Sequence, residues 1–196
     1  MGTLIKQDHI TLKNLKVAEF ASEETLCFSA TVLFDDVAVA EARNDGHGGS
    51  TFLHALQGKR DLLSEAEQFA KALPPATLDC GVSDEDDNPL IVDVTLDFLV
   101  DQLADTMHGD RKLRAAFSRD IGNKVLFIKG GKLLFLKGIK LLFLKGIKLK
   151  AIADRPAYFA ALRARQAQPI VILAELPPDE AFALWRLHVL GSESSS

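Results

Sequence analysis

The segment KLLFLKGIKL runs from Lys132 to Leu141 and again from Lys140 to Leu149 without a mismatch. It belongs to an octad series: Lys124-VLFIKGG, Lys132-LLFLKGI, Lys140-LLFLKGI and Lys148-LKAIADR. A period of eight fits neither a heptad coiled coil nor a solenoid, whose repeats are about 20–50 residues long. A helix is disfavoured because its lysines would spread around the wheel and each recurring glycine costs about 1 kcal/mol relative to alanine. A strand suits the Leu, Phe and Ile content, and Gly130-Gly131 is a good two-residue turn, so VLFIK-GG-KLLFLK reads as a β-hairpin.

Side chains alternate along a strand with period two, so an insertion of eight leaves every later side chain on its original face. Either copy therefore suits the same place in a sheet. The first offers Lys132, Phe135 and Lys137, the second Lys140, Phe143 and Lys145. The displaced copy must bulge out, add a strand at an edge or pair with another molecule, and eight extended residues reach about 26 Å. A switch between two strand registers, an added strand and a neutral duplication all fit this phase. Identity over ten residues is what a laboratory insertion leaves behind; without it the chain reads KVLFIKGGKLLFLKGIKLKAIADRP. An exposed LLFL strand also offers an edge for a homodimer.

Eight lysines and no acid lie between 124 and 150. Lysines at strand ends keep edges from aggregating. A nucleic-acid surface is the less favoured reading, since no Arg, Tyr or Trp is interleaved and the 196-residue chain carries a net charge of −4. No apolar stretch reaches the ~18 residues of a membrane span. The start, MGTLIKQDHITLK, lacks the pattern of a secretory signal, and two cysteines are too few for a disulfide scaffold, so a cytoplasmic location is expected. Twelve Phe against one Trp and one Tyr suggest a core rather than a recognition surface.

The length suits one domain, over 1–191, with GSESSS at its end read as a disordered tail from 192 to 196. In TLCFSATVLF, Leu26, Phe28, Ala30, Val32 and Phe34 share a face, Asp35-Asp36 is a turn, and VAVAEARN returns with Ala38, Ala40 and Ala42 on one side. The facial match pairs residues whose numbers sum to about 72. ITLKNLKVAEF can supply a third strand. DLLSEAEQFAKAL carries the helical stripe Leu62, Leu63, Ala66, Phe69, Ala70 and Leu73, stopped by Pro74-Pro75. TLDCGVSDEDDNP is read as a loop, and a helix is expected from about Thr95, which can cap it. RKLRAAFSRDIG and RPAYFAALRARQA read as short helices, PIVILAE as a buried strand and PPDEAFALWRLHVL as a last helix. Mixed strands and helices without βαβ alternation predict an α+β fold, an antiparallel sheet of two hairpins packed with four to five helices.

Two polar clusters flank the first hairpin, Ser22-Glu23-Glu24-Thr25 and Asn44-Asp45-Gly46-His47-Gly48-Gly49. The sum of 72 places Cys27 opposite Asp45 and Thr25 opposite His47, so both clusters meet at one hairpin end. Glu23, Glu24, Asn44, Asp45 and His47 are the candidate ligand-binding residues; the carboxylates with His47 offer metal ligands or an acid–base pair. The bland alternative is a common Asn-Asp-Gly turn beside surface acids. His54 lies at a weak spacing to join them, and DEDD at 84–87 lacks the order of a calcium loop. No nucleophilic triad and no phosphate-binding glycine motif is present, and no cofactor is implied.

LKNLKVAEFASEETLCFSATVLFDDVAVAEARNDGHGG resembles the opening of a group of uncharacterised bacterial, phage and plasmid proteins. They share the Phe, Ser-Glu-Glu-Thr, Cys-Phe strand and an Asn-Asp-Gly-His/Arg-Gly-Gly turn, and their later lysine-bounded Leu-Phe-Ile hairpin is similar to VLFIKGGKLLFLKG. The resemblance covers the N-terminal quarter well and the remainder loosely, and the duplicated octapeptide departs from it. It implies an accessory protein linked to mobile elements, with no activity attached. Three functions fit the residues: a non-enzymatic interaction protein, a small metal-dependent or acid–base enzyme at the hairpin end, and a nucleic-acid binder using the lysine-rich hairpin.

Overall fold

Alternation dictates the first sheet. Residues Ile10–Val17 (β1), Phe28–Phe34 (β2), Val37–Asn44 (β3) and Phe52–Ala55 (β4) form a four-stranded antiparallel sheet in the order β1-β2-β3-β4. The computed structural model describes residues 5–83, 89–135, 137–138, 145–146 and 148–193, with the backbone alone described for 78–83, 89–90, 135, 137–138, 145–146 and 191–193. β2 pairs with β3 at the predicted sum of 72 from Phe28↔Asn44 to Val32↔Ala40, and at a sum of 71 for Leu33↔Ala38 and Phe34↔Val37. The extra residue is Val39, a β-bulge; Val39 and Ala40 are both fully buried although adjacent. Asp35 and Asp36 hold the turn with φ of 48° and 64°, the left-handed pair that a two-residue hairpin requires.

The chain divides into two compact units, Met1–Gly109 and Asp110–Ser196. In the first, Ile10, Leu12, Phe28, Val32 and Ala42 form one face of the sheet and share a core with Leu63, Ala66 and Ala70. Those three lie on the helix Arg60–Lys71 (α1), along the predicted stripe. Ala76–Ser83 (β5) and Pro89–Val92 (β6) pair antiparallel, so TLDCGVS is a strand where a loop is expected. Leu78, Cys80 and Val82 do alternate with Thr77, Asp79, Gly81 and Ser83, but the preceding Pro74-Pro75 and the acidic run after them read as loop signals; DEDD lies outside the described residues.

Leu96–Asn123 (α2) begins where expected: the Thr95 hydroxyl accepts from the Phe98 N–H at 3.4 Å. It continues through His108-Gly109 as one helix of 28 residues, where two are expected. One interior glycine costs only about 1 kcal/mol, too little to stop a helix that buries Leu96, Leu99, Val100 and Ala104 before it and Phe117 after it. None of the described helices is long and apolar enough to cross a membrane.

In the second unit Leu126–Lys129 (β7), Lys132–Phe135 (β8) and Ile170–Ile172 (β11) form a sheet in the order β11-β7-β8. The predicted hairpin is present, with Lys129↔Lys132 flanking Gly130 and Gly131 at φ of 54° and 73°. Successive β7 residues feed opposite cores, which explains the unbroken VLFI run. Leu126 packs with Phe182 and Trp185 of Pro178–Glu193 (α4), and Phe127 with Phe159 and Leu162 of Arg155–Ala164 (α3). The Asp154 side chain caps α3 by accepting from the Ala157 N–H at 3.0 Å. α4 runs to Glu193, into the segment expected to be a tail. The fold is α+β.

The first copy of the repeat takes the place beside β7, through Phe127↔Leu134 and Leu126↔Phe135. Lys137-Gly138 (β9) then pairs antiparallel with Lys145-Gly146 (β10), each dipeptide with its own duplicate. The Phe135 side chain, Lys140 and Phe143 lie outside what is described.

An aspartate in the left-handed region carries a penalty that glycine does not. Asp36→Gly is expected to stabilise the first unit by about 0.5–1 kcal/mol, read as a higher melting temperature; a lower one would contradict the turn geometry.

Candidate functional site

The two polar clusters do meet at one end of the β2–β3 hairpin, and backbone carries most of the meeting. The amides of Glu23, Glu24 and Thr25 all donate to the Gly46 carbonyl, at 3.0, 3.0 and 3.3 Å. At Gly46 (φ 89°) a Cβ would stand 2.0 Å from the Ala21 carbonyl oxygen, which is why the turn needs glycine there.

Asn44 sits at the centre. It follows Ala40 and Ala42 on the inward face of β3 and is only 2 % exposed, so its amide must be satisfied internally. Its Oδ1 accepts from the Thr25 hydroxyl and the Gly46 N–H, each at 2.9 Å. Its Nδ2 donates to the Gly49 carbonyl and the Thr51 hydroxyl, each at 3.1 Å. All four hydrogen-bonding positions of the amide are thereby used. Thr51 in turn donates to Asp101 of α2. A relay from Thr25 to Asp101 thus ties the hairpin end to α2 within the first unit.

The charged candidates lie outside this knot. Glu23, Glu24, Asp45 and His47 are exposed. His47 Nδ1 and Glu23 Oε2 are 3.3 Å apart, and the Glu24 carboxylate lies over Gly48. Among the described residues no group of three or more His, Cys, Asp or Glu is arranged to hold a metal ion. His54 stands on β4 opposite Glu41.

Burial raises the Asp101 carboxyl to about 6; the Thr51 hydroxyl opposes the shift, and Asp97 and Asp105 on neighbouring turns of α2 add to it. Burial likewise raises Asp105, against the pull of His108.

A second feature is absent from the sequence expectations. On the outward face of the sheet the ladder aligns Lys16, Ser29, Arg43 and Phe52 in one row across all four strands. A neighbouring row aligns Lys13, Thr31, Glu41 and His54. Phe52 is 75 % exposed, and the face forms a concavity of about 950 Å³ that includes Lys16, Arg43, Phe52 and His54. Among the described residues Lys13, Lys16 and Arg43 take part in no ion pair. In TFLHA exposure alternates residue by residue, but in the sequence Phe52 and Leu53 are both apolar, and four residues after a glycine-rich turn are too few to announce a strand.

Comparison with protein-family models, curated proteins and solved structures finds no match.

Two outcomes follow. Asn44→Ala strands buried partners and is expected to cost about 2–4 kcal/mol in a denaturant melt; a loss below about 0.5 kcal/mol would contradict the knot. Because Asp101 titrates above the ordinary carboxylate value of 3.8, its protonated form favours the folded state. That contribution is complete below pH 3.8 and is lost as pH rises through about 6. Asp101→Asn should therefore raise the melting temperature at pH 7 and shrink the decline between pH 4 and 6; an unchanged decline would contradict the assignment.

Proposed function

We propose that this chain is a non-enzymatic interaction protein that takes an anionic, ring-bearing ligand on the outward face of its four-stranded sheet. The observation that carries this reading is the row Lys16, Ser29, Arg43 and Phe52. It sets in one row an exposed aromatic ring and two cations that, among the described residues, have no ion-pair partner, on a chain of net charge −4. Cations beside an exposed ring suit an anion that carries a ring of its own, through charge-assisted hydrogen bonds and stacking. Acid–base chemistry at the hairpin end has one support, the His47–Glu23 pair. It lacks a second organised group, since Asn44 is fully occupied in holding the loops together.

The repeat supports a second, conformational reading: exchange of its two copies beside β7. With the first copy in place the β7–β8 loop is Gly130-Gly131; with the second it would run from 130 to 139. Lengthening a loop from two to ten residues costs about 1.4 kcal/mol in closure entropy, so the second arrangement would be the minor one.

Titration with a nucleoside monophosphate and with benzyl phosphate, followed by ¹H–¹⁵N spectra, tests the first reading. Shifts should gather at Lys16, Ser29, Arg43 and Phe52 and vanish in Arg43→Ala and Phe52→Ala. Shifts confined to Glu23 and His47, or none, would contradict it. For the second reading, Leu133→Asp should cost the duplicated chain about 1.4 kcal/mol or only slightly more, because the other copy replaces the damaged strand. A chain lacking residues 140–147 should lose more; equal losses would rule out exchange.

A further inference from the structure

We infer that the occupant of the open sheet face is a single-stranded polynucleotide, one base lying on Phe52 with its flanking phosphates on Arg43 and Lys16. The inference rests on the sheet face being the binding surface, and it names the ligand from three observations. The first is spacing. Neighbouring strands lie about 4.8 Å apart, so Arg43 adjoins Phe52 while Lys16 stands two strands, about 10 Å, beyond Arg43. One ring and two cations at those separations suit a chain in which planar groups and charges recur, better than a single compact anion.

The second is the character of the face. Phe52 is 75 % exposed, unlike the Phe28 ring, which is 4 % exposed on the inward side. An exposed ring on an open strand offers a stacking platform to any base, whereas bases in a duplex are already stacked and paired. The third is the neighbouring row. Lys13 adds a cation, and Glu41, Thr31 and His54 supply an acceptor, a hydroxyl and an imidazole at the height of a stacked base's edge. Glu41 opposes phosphate at its own position, which directs the backbone along the row of Lys16 and Arg43. Its carboxylate can accept from an exocyclic amine of the base. The net charge of −4 opposes diffuse attraction and confines binding to this patch.

Fluorescence anisotropy of the full chain with a labelled eight-nucleotide single strand at low salt tests the inference. Binding should weaken with salt at a log–log slope of about −1.4, two phosphates at about −0.7 each, and Arg43→Ala should remove about half of that slope. Phe52→Ala should weaken binding roughly 5- to 150-fold, the range of one stacked base. A duplex of the same sequence should compete poorly. Arg43, Phe52 and Lys132 are exposed and Lys129 is half-buried, and unchanged melting temperatures would verify that the variants fold. No binding at low salt, an unaffected Phe52→Ala variant or equal competition by duplex would each overturn the inference. Binding lost in Lys129→Ala/Lys132→Ala but kept in Phe52→Ala would overturn it in favour of the hairpin lysines. If benzyl phosphate and the mononucleotide still shift Arg43 and Phe52 while the oligomer binds no more tightly, this inference fails and the sheet-face reading stands.

Discussion

The pairing of β2 with β3 sets both faces of the first unit. Strand side chains alternate, so the register that turns Phe28, Ala30 and Val32 onto the core also turns Ser29 and Thr31 outward, and β3 answers with Ala40 and Ala42 inward and Glu41 and Arg43 outward. A slip of one residue would bury Arg43 and expose Val32. The bulge at Val39 absorbs one residue near the Asp35-Asp36 turn without disturbing the register farther along. At the other end, Asn44 closes the hairpin by spending its whole amide on Thr25, Gly46, Gly49 and Thr51. The NDGHGG turn and the SEET segment are thereby held together by neutral groups, with their charges left at the surface.

That division explains what was legible in the sequence. The sum of 72 was readable because both β2 and β3 alternate over five or more residues with a turn between them. The helix stripe of α1, the Thr95 cap and the Gly130-Gly131 hairpin were readable because each is a local pattern with its own start or stop signal. The bulge was not, since one extra residue leaves no composition mark. Neither was α2 as a single helix, because Gly109 looks like a stop although its cost of about 1 kcal/mol is too small to act as one. Convergence of the two polar clusters was legible, yet the residue that organises them, Asn44, drew notice only as one candidate among charged neighbours. Counting charges favours Glu23 and Asp45, whereas burial singles out the one amide that solvent cannot satisfy.

The sheet-face row lay beyond sequence reasoning for a different reason. Lys16, Ser29, Arg43 and Phe52 span 37 positions of sequence and are adjacent only once four strands are in register. The abundance of Phe pointed to the core, and most of the described rings do lie there; Phe52 at 75 % and Phe20 at 94 % stand out. The repeat shows the converse. Its even length was legible at once, and the first copy is found beside β7, where the two-glycine turn costs least in loop closure.

The central claim is that the outward sheet face is where this chain meets a single-stranded polynucleotide. Photo-crosslinking to an oligonucleotide carrying 4-thiouridine, followed by peptide mapping, tests it most directly. The account predicts adducts on the β4 peptide that holds Phe52 and His54, lost on competition with unlabelled single strand. Adducts confined to the lysine-rich segment from 124 to 150, or to the hairpin end at Glu23 and His47, would contradict it.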